Sequence, residues 1–205
     1  MPVTPIDWIR LYYKQQEKNG GSPDSEKNRK EMAFCIRLLE NNNIQTMEDL
    51  KKLTHSVSSQ ASDILAESRE MDNQIRKLDS MIRLGEIIEE TKPVIEQMNA
   101  IHWKIPREKF RAKNQEKIDQ YQMIKRTLKE KYGVTKITLT AWKQKKSQLL
   151  QQKNDLLERH KPLRIKTNQL IMIQYRIEEA ERVANKNRDR QRLILRNRKQ
   201  DRQER

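Results

Sequence analysis

The chain has 205 residues, with 44 Lys or Arg against 29 Asp or Glu and a net charge of +15. At 36% charged and 34% hydrophobic residues it is too polar for a thick globular core and suits extended helices. Its four glycines, Gly20, Gly21, Gly85 and Gly133, have no phosphate-loop spacing, which excludes a Rossmann or P-loop nucleotide site.

Residues 6–18 form a short amphipathic helix in which Ile6, Ile9 and Tyr13 share one face. The loop Asn19–Asp24 breaks it, and Ser22 or Asp24 is placed to cap the next helix, with Glu26 in its first turn. That helix covers about 24–42, with Met32, Ile36 and Leu39 at helical spacing and Phe34, Cys35 and Leu38 widening the stripe; Asn41–Asn43 ends it. Thr46 caps a short helix at 47–53, with Glu48 and Asp49 in its first turn.

A first long helix is expected from near Val57 to about Ile101. Its stripe runs Val57, Ala61, Ile64, Ser68, Met71, Ile75, Leu78, Ile82, Gly85 at spacings alternating between four and three. Pro93 lacks a backbone donor, so a kink or break is expected near Thr91–Pro93. In 102–136, Pro106 sits in the first turn of a helix. Ile118, Tyr121, Ile124 and Leu128 stripe a second helix, which Tyr132–Gly133 closes; Val134–Ile137 is too short for a strand. A second long helix begins near Thr138 or Thr140 and runs to about Ala184, with a kink expected at Pro162. Every seventh residue is apolar: Trp142, Leu149, Leu156, Leu163, Leu170, Ile177, Ala184. Residues 182–205 then hold ten Lys or Arg against three acidic residues and read as a frayed or solvated basic helix.

A 3.5-residue repeat keeps one stripe of a helix facing a partner over many turns. The fold expected is all-α: a long antiparallel coiled-coil hairpin over 56–184 with a tip insertion at 102–136, short N-terminal helices over 1–55 and a basic tail over 185–205. The hairpin is favoured over a parallel homodimer because its two arms are closed covalently within one chain. Polar residues in the second seam, Lys146, Lys153, His160 and Thr167, are expected to set register or partner choice.

Little points to catalysis. His55, His102 and His160 lack metal-site spacing, and neither HExxH nor CxxC occurs. Tyr12, Tyr13, Tyr121, Tyr132 and Tyr175 read as packing residues with wet hydroxyls. The single cysteine, Cys35, reads as a buried structural residue and suits the reducing cytoplasm. No apolar run approaches the length of a membrane span, and the N-terminus lacks the order of a signal peptide. No cofactor is expected.

The charge does point to a partner, with nucleic acid ahead of acidic membrane surfaces. At the tip, Trp103, Lys104, Arg107, Lys109, Phe110, Arg111 and Lys113 interleave cations with aromatics, a mixture that neutralises phosphates and stacks bases. The bland reading is that Trp103 and Phe110 cap the hairpin core. In the tail, Arg188, Arg190, Arg192, Arg196 and Arg198 offer phosphate contacts of low sequence specificity.

The order of elements also resembles a known family. The helix KNRKEMAFCIRLLENNNI leads into MEDLKKL and a heptad helix. A basic tip with REKF follows, then IKRTLKEKYGVTKI and AWKQKKSQLLQQKNDL. Over roughly 26–184 this resembles the C-terminal helical region of relaxases, the mobilisation nucleases of conjugative and mobilisable elements in Gram-positive bacteria. Its most specific piece is Lys129–Ile137 with the basic helix after it. In that family nicking belongs to an N-terminal domain with a tyrosine nucleophile and a metal-holding histidine cluster, and neither matches here. The resemblance therefore implies a non-catalytic module for DNA mobilisation. It would handle DNA or assemble the relaxosome and present it to the transfer machinery. The alternative is a coiled-coil protein adaptor that never touches DNA.

Overall fold

The computed structural model describes the backbone of residues 4–18 and 25–203, and side chains over 4–17 and 26–195. Six helices and no strand occur among the described residues: α1 (Pro5–Lys18), α2 (Ser25–Asn41), α3 (Met47–Ala100), α4 (Lys104–Lys113), α5 (Gln115–Tyr132) and α6 (Leu139–Gln203). The chain is all-α, and its long helices α3 and α6 pair antiparallel. It divides into two compact units, one of Met1–Asp63 with His160–Arg205, the other of Ile64–Arg159. The expected caps at Ser22 or Asp24 lie outside the described residues.

The first unit starts with a cap. The Thr4 hydroxyl accepts from the Asp7 backbone N–H, and the Asp7 carboxylate accepts from that of Thr4, with Pro5 at the first helical position. The same exchange recurs at α3, where Asp49 N–H donates to Thr46 Oγ1 at 3.1 Å and Thr46 N–H to Asp49 Oδ2 at 2.9 Å. Hydrogen bonds from the Thr46 side chain and backbone hold the Asp49 carboxyl below the usual carboxylate range. Between these caps α2 ends on Asn43 at φ 52°, with Ile44 N–H donating to the Leu39 carbonyl and Asn43 N–H to that of Glu40. Six-to-one and five-to-two bonds of this kind satisfy carbonyls that a helix end leaves bare, and Asn tolerates the left-handed conformation they need.

The expected short helix at 47–53 and the long helix from Val57 are one helix. No glycine or proline separates them, and Thr54 turns its hydroxyl back onto the Leu50 carbonyl at 2.7 Å. Leu50 stands one heptad before Val57, and both are buried in a core with Ile9, Tyr13, Cys35, Leu39, Ile44, Leu170, Ile173 and Ile177. Within this core lies a polar knot. Arg176 of α6 donates from Nη2 to Glu31 Oε2 at 2.6 Å and from Nη1 to the Tyr13 hydroxyl and to Cys35 Sγ. Its guanidinium lies 5.2 Å from the Tyr13 ring centroid and 5.8 Å from that of Tyr12. Burial, joined by the neighbouring Cys35 and Glu31, pushes the Tyr13 hydroxyl well above the ordinary tyrosine value; burial also pushes the Cys35 thiol up, against the pull of Arg176.

In the second unit the two seams meet. Ile75, Leu78, Ile82, Trp142 and Leu149 are buried together, and α5 adds Ile124 and Leu128. Lys153 pairs with Asp72 at 2.6 Å and Lys146 with Asp79 at 2.5 Å. Seven residues up one helix match seven down the other, which is antiparallel pairing in heptad register. Two of the polar seam residues are thus spent inside the chain, and the seams a parallel homodimer would need are filled. Farther along, Gly85 lets the helices close: a Cβ there would lie 2.7 Å from Leu139 Cδ2 and 3.0 Å from Trp142 Cζ3.

Neither proline breaks its helix: α3 runs through Pro93 and α6 through Pro162. Each proline is exposed, as is the residue four before it, Glu89 or Glu158, so water can reach the carbonyl that loses its helical partner.

Candidate nucleic-acid interface

Helices α4 and α5 build the tip. Trp103 precedes α4 without a side-chain cap, and Pro106 falls in the first turn as expected. Asn114 joins the two helices, its N–H donating to the Phe110 and Arg111 carbonyls. The buried stripe of α5 is Ile118, Ile124 and Leu128, with Tyr121 half-buried beside it. Gly133 at φ 69° closes α5, as its N–H reaches the Lys129 carbonyl and that of Val134 the Leu128 carbonyl.

No residue of α4 is buried. Lys104, Arg107, Lys109, Arg111 and Lys113 are all exposed, and none joins an ion pair among the described residues. Helical spacing sorts them. Lys104, Arg107 and Arg111 line one open cleft of ≈ 350 Å³ with His102, Glu108 and the apolar side chains of Met98 and Ile118. Lys109 and Lys113, four residues apart, take another face of α4. Trp103 is 79% exposed and does not cap the core, whereas Phe110 is half-buried.

Helix α5 carries further cations, outside the basic cluster of 103–113. Lys117, Lys125, Arg126 and Lys129 are exposed as well. The signal was present: once Ile118, Ile124 and Leu128 claim the inner face, residues between them must point outward. Lys125 lies 5.8 Å from the Tyr121 ring centroid and Lys131 5.6 Å from that of Tyr132, contacts of modest strength at exposed sites.

The tail belongs to the other unit. Its backbone stays helical to Gln203. Arg190 and Arg192 are exposed, Arg192 lying 3.9 Å from Asp189, and Arg188 is half-buried. The side chains of Arg196 and Arg198 lie outside the described residues. Leu193, Ile194 and Leu195 are exposed on the same stretch.

Among the described residues no group of three or more His, Cys, Asp or Glu side chains is placed to hold a metal ion. No helix among the described residues is long and apolar enough to cross a membrane. No family model matches the chain, and neither a curated protein nor a solved structure matches it.

Proposed function

We propose that this chain is a non-catalytic helical module that holds DNA, acting in the cytoplasm within a DNA-mobilisation assembly of the relaxase kind. The observation that carries the reading is α4: five exposed cations that join no ion pair among the described residues, on a helix with no fully buried residue, beside an exposed tryptophan. A helix packed for stability would bury a stripe, and cations meant only for solubility would be interspersed with more carboxylates than the single Glu108. Such a surface binds the phosphate backbone by releasing counterions. The resemblance to relaxase helical regions supplies the DNA-mobilisation context, and a relaxosome or transfer-machinery protein is the implied second partner.

The test is fluorescence anisotropy of a labelled duplex and a labelled single strand against the full chain across a salt series. Binding should weaken steeply with salt, with a logarithmic slope of about 0.9 per phosphate contacted on duplex. Replacing Lys104, Arg107, Lys109, Arg111 and Lys113 by Gln should flatten that slope. A salt-independent curve, or a variant that binds like the parent, refutes the tip as the DNA surface. Retained cellular function after charge reversal of tip and tail would instead favour the protein-adaptor reading.

A further inference from the structure

The first unit carries an open groove of ≈ 550 Å³ between α2 and α6. Phe34, Leu38, Pro162 and Ile165 make it apolar, while Arg37 and Lys166 stand among its lining as cations; among the described residues no carboxylate lines it. Phe34 is 39% and Ile165 58% exposed, so the groove shows bare hydrocarbon to water. Its volume lies within the range of about 300–1,000 Å³ that ordinary binding sites occupy. Two helices side by side, each offering apolar side chains, leave a channel shaped for a third helix.

We propose that this groove takes an amphipathic helix of a partner protein, apolar along one stripe and acidic on its flanks. Charge selects that occupant. Lys166 is already held at the groove, its Nζ donating to Asn42 Oδ1 at 2.8 Å while Asn42 Nδ2 donates to the Leu38 carbonyl at 2.7 Å. A cation fixed before binding loses less rotamer freedom when a carboxylate arrives. Arg37 is exposed and joins no ion pair among the described residues. A second copy of this chain is disfavoured by its net charge of +15. Nucleic acid would gain little from an apolar floor. The groove uses no residue of the tip, so this inference stands apart from the DNA reading.

The probe is a fluorescein-labelled synthetic helix with Leu at i, i+3, i+4 and i+7 and Glu on its flanks, titrated into the full chain by anisotropy. A scrambled peptide of equal composition controls for plain attraction to a basic protein. The designed helix should bind at least about tenfold tighter than the scramble, and Ile165→Ser and Phe34→Ser should each cost about tenfold. Arg37→Glu should weaken binding and reduce its salt dependence. Unchanged circular dichroism is expected for each variant, since these side chains are exposed. Equal binding of scrambled and designed peptides, or full binding by Ile165→Ser, overturns the proposal. So does a dimer in sedimentation that Ile165→Ser dissociates, which would give the groove to a second copy. Salt-dependent DNA binding should be the same in Ile165→Ser as in the parent; if the parent binds no DNA, only the DNA reading fails.

Discussion

Arg176→Ala removes the guanidinium that ties α1 and α2 to α6. The side chain is only 12% exposed, and its bond to Glu31 is charge-assisted. A buried bond to a charged group contributes roughly 1.5–3 kcal/mol, but Glu31 remains 38% exposed, so solvent screening reduces this to about 1 kcal/mol. Loss of the stem packing and of the face set over Tyr12 and Tyr13 adds about another 1 kcal/mol. The Tyr13 hydroxyl keeps Glu31 Oε2 at 3.3 Å, so the orphaning penalty stays small. The sum, about 2 kcal/mol, is a roughly 30-fold change in the opening equilibrium of this unit. Cys35 reads that opening directly, being the single cysteine and fully buried. Its reaction with a thiol reagent at fixed pH follows the open population when reclosing is fast. Labelling should quicken about 30-fold in Arg176→Ala, and less in Arg176→Lys, which keeps the charge and loses the fork. The urea midpoint by circular dichroism should fall alongside. Labelling within threefold of the parent, with an unmoved midpoint, would refute a stabilising role for the knot.

Three further outcomes are expected. Because Cys35 and Tyr13 have raised values in the folded state, their contribution is fully present at neutral pH. It is lost as pH climbs past the ordinary thiol value of 9.0 and then the ordinary tyrosine value of 10.0, by at most about 1.4 kcal/mol per pH unit for each group. Urea midpoints measured from neutral to strongly alkaline pH should therefore decline, and Tyr13→Phe should leave only the thiol's share of the decline. At Gly85, Ala should lower the melting temperature: its Cβ presses on the buried Leu139 and on the rigid Trp142 ring, and overpacking of about 1–3 kcal/mol outweighs a helix-propensity gain of about 1 kcal/mol; Val should lower it further. Reversing Lys153 to Asp should cost up to about 1 kcal/mol, and adding Asp72→Lys should restore most of it by thermal melting; no recovery in the double variant would mean the pair does not set register.

The seams show how far periodicity reaches. Trp142, Leu149, Leu156, Leu170 and Ile177 are all buried, as are Val57, Ala61, Ile75, Leu78 and Ile82, because a 3.5-residue repeat has one geometric solution, a paired helix. Antiparallel pairing was favoured by the covalent closure of both arms in one chain, and the Asp72–Lys153 and Asp79–Lys146 pairs agree with it. Capping was legible at Thr46 because the two residues exchanging bonds are three apart. The same three-residue spacing joins Thr4 and Asp7 at the start of α1. The run of α3 through Thr54–Ser56 was legible in the sequence, since no glycine or proline separates the segments and Leu50 stands one heptad before Val57, with which it is buried.

For the candidate site, composition located the cations but not their faces. Sequence alone determined the two seams, Gly133 as a helix end and a basic tip, because each depends on neighbours within a few residues or on a repeat. Tertiary structure alone decided that Trp103 stands free of the core, that Lys104, Arg107 and Arg111 share a cleft, and that Phe34 and Ile165 share a groove. It also decided the Arg176 knot, which joins α6 to Tyr13 across 163 positions. No local pattern marks such a residue, since the free energy of burying a charge depends on partners that only the folded chain brings within reach.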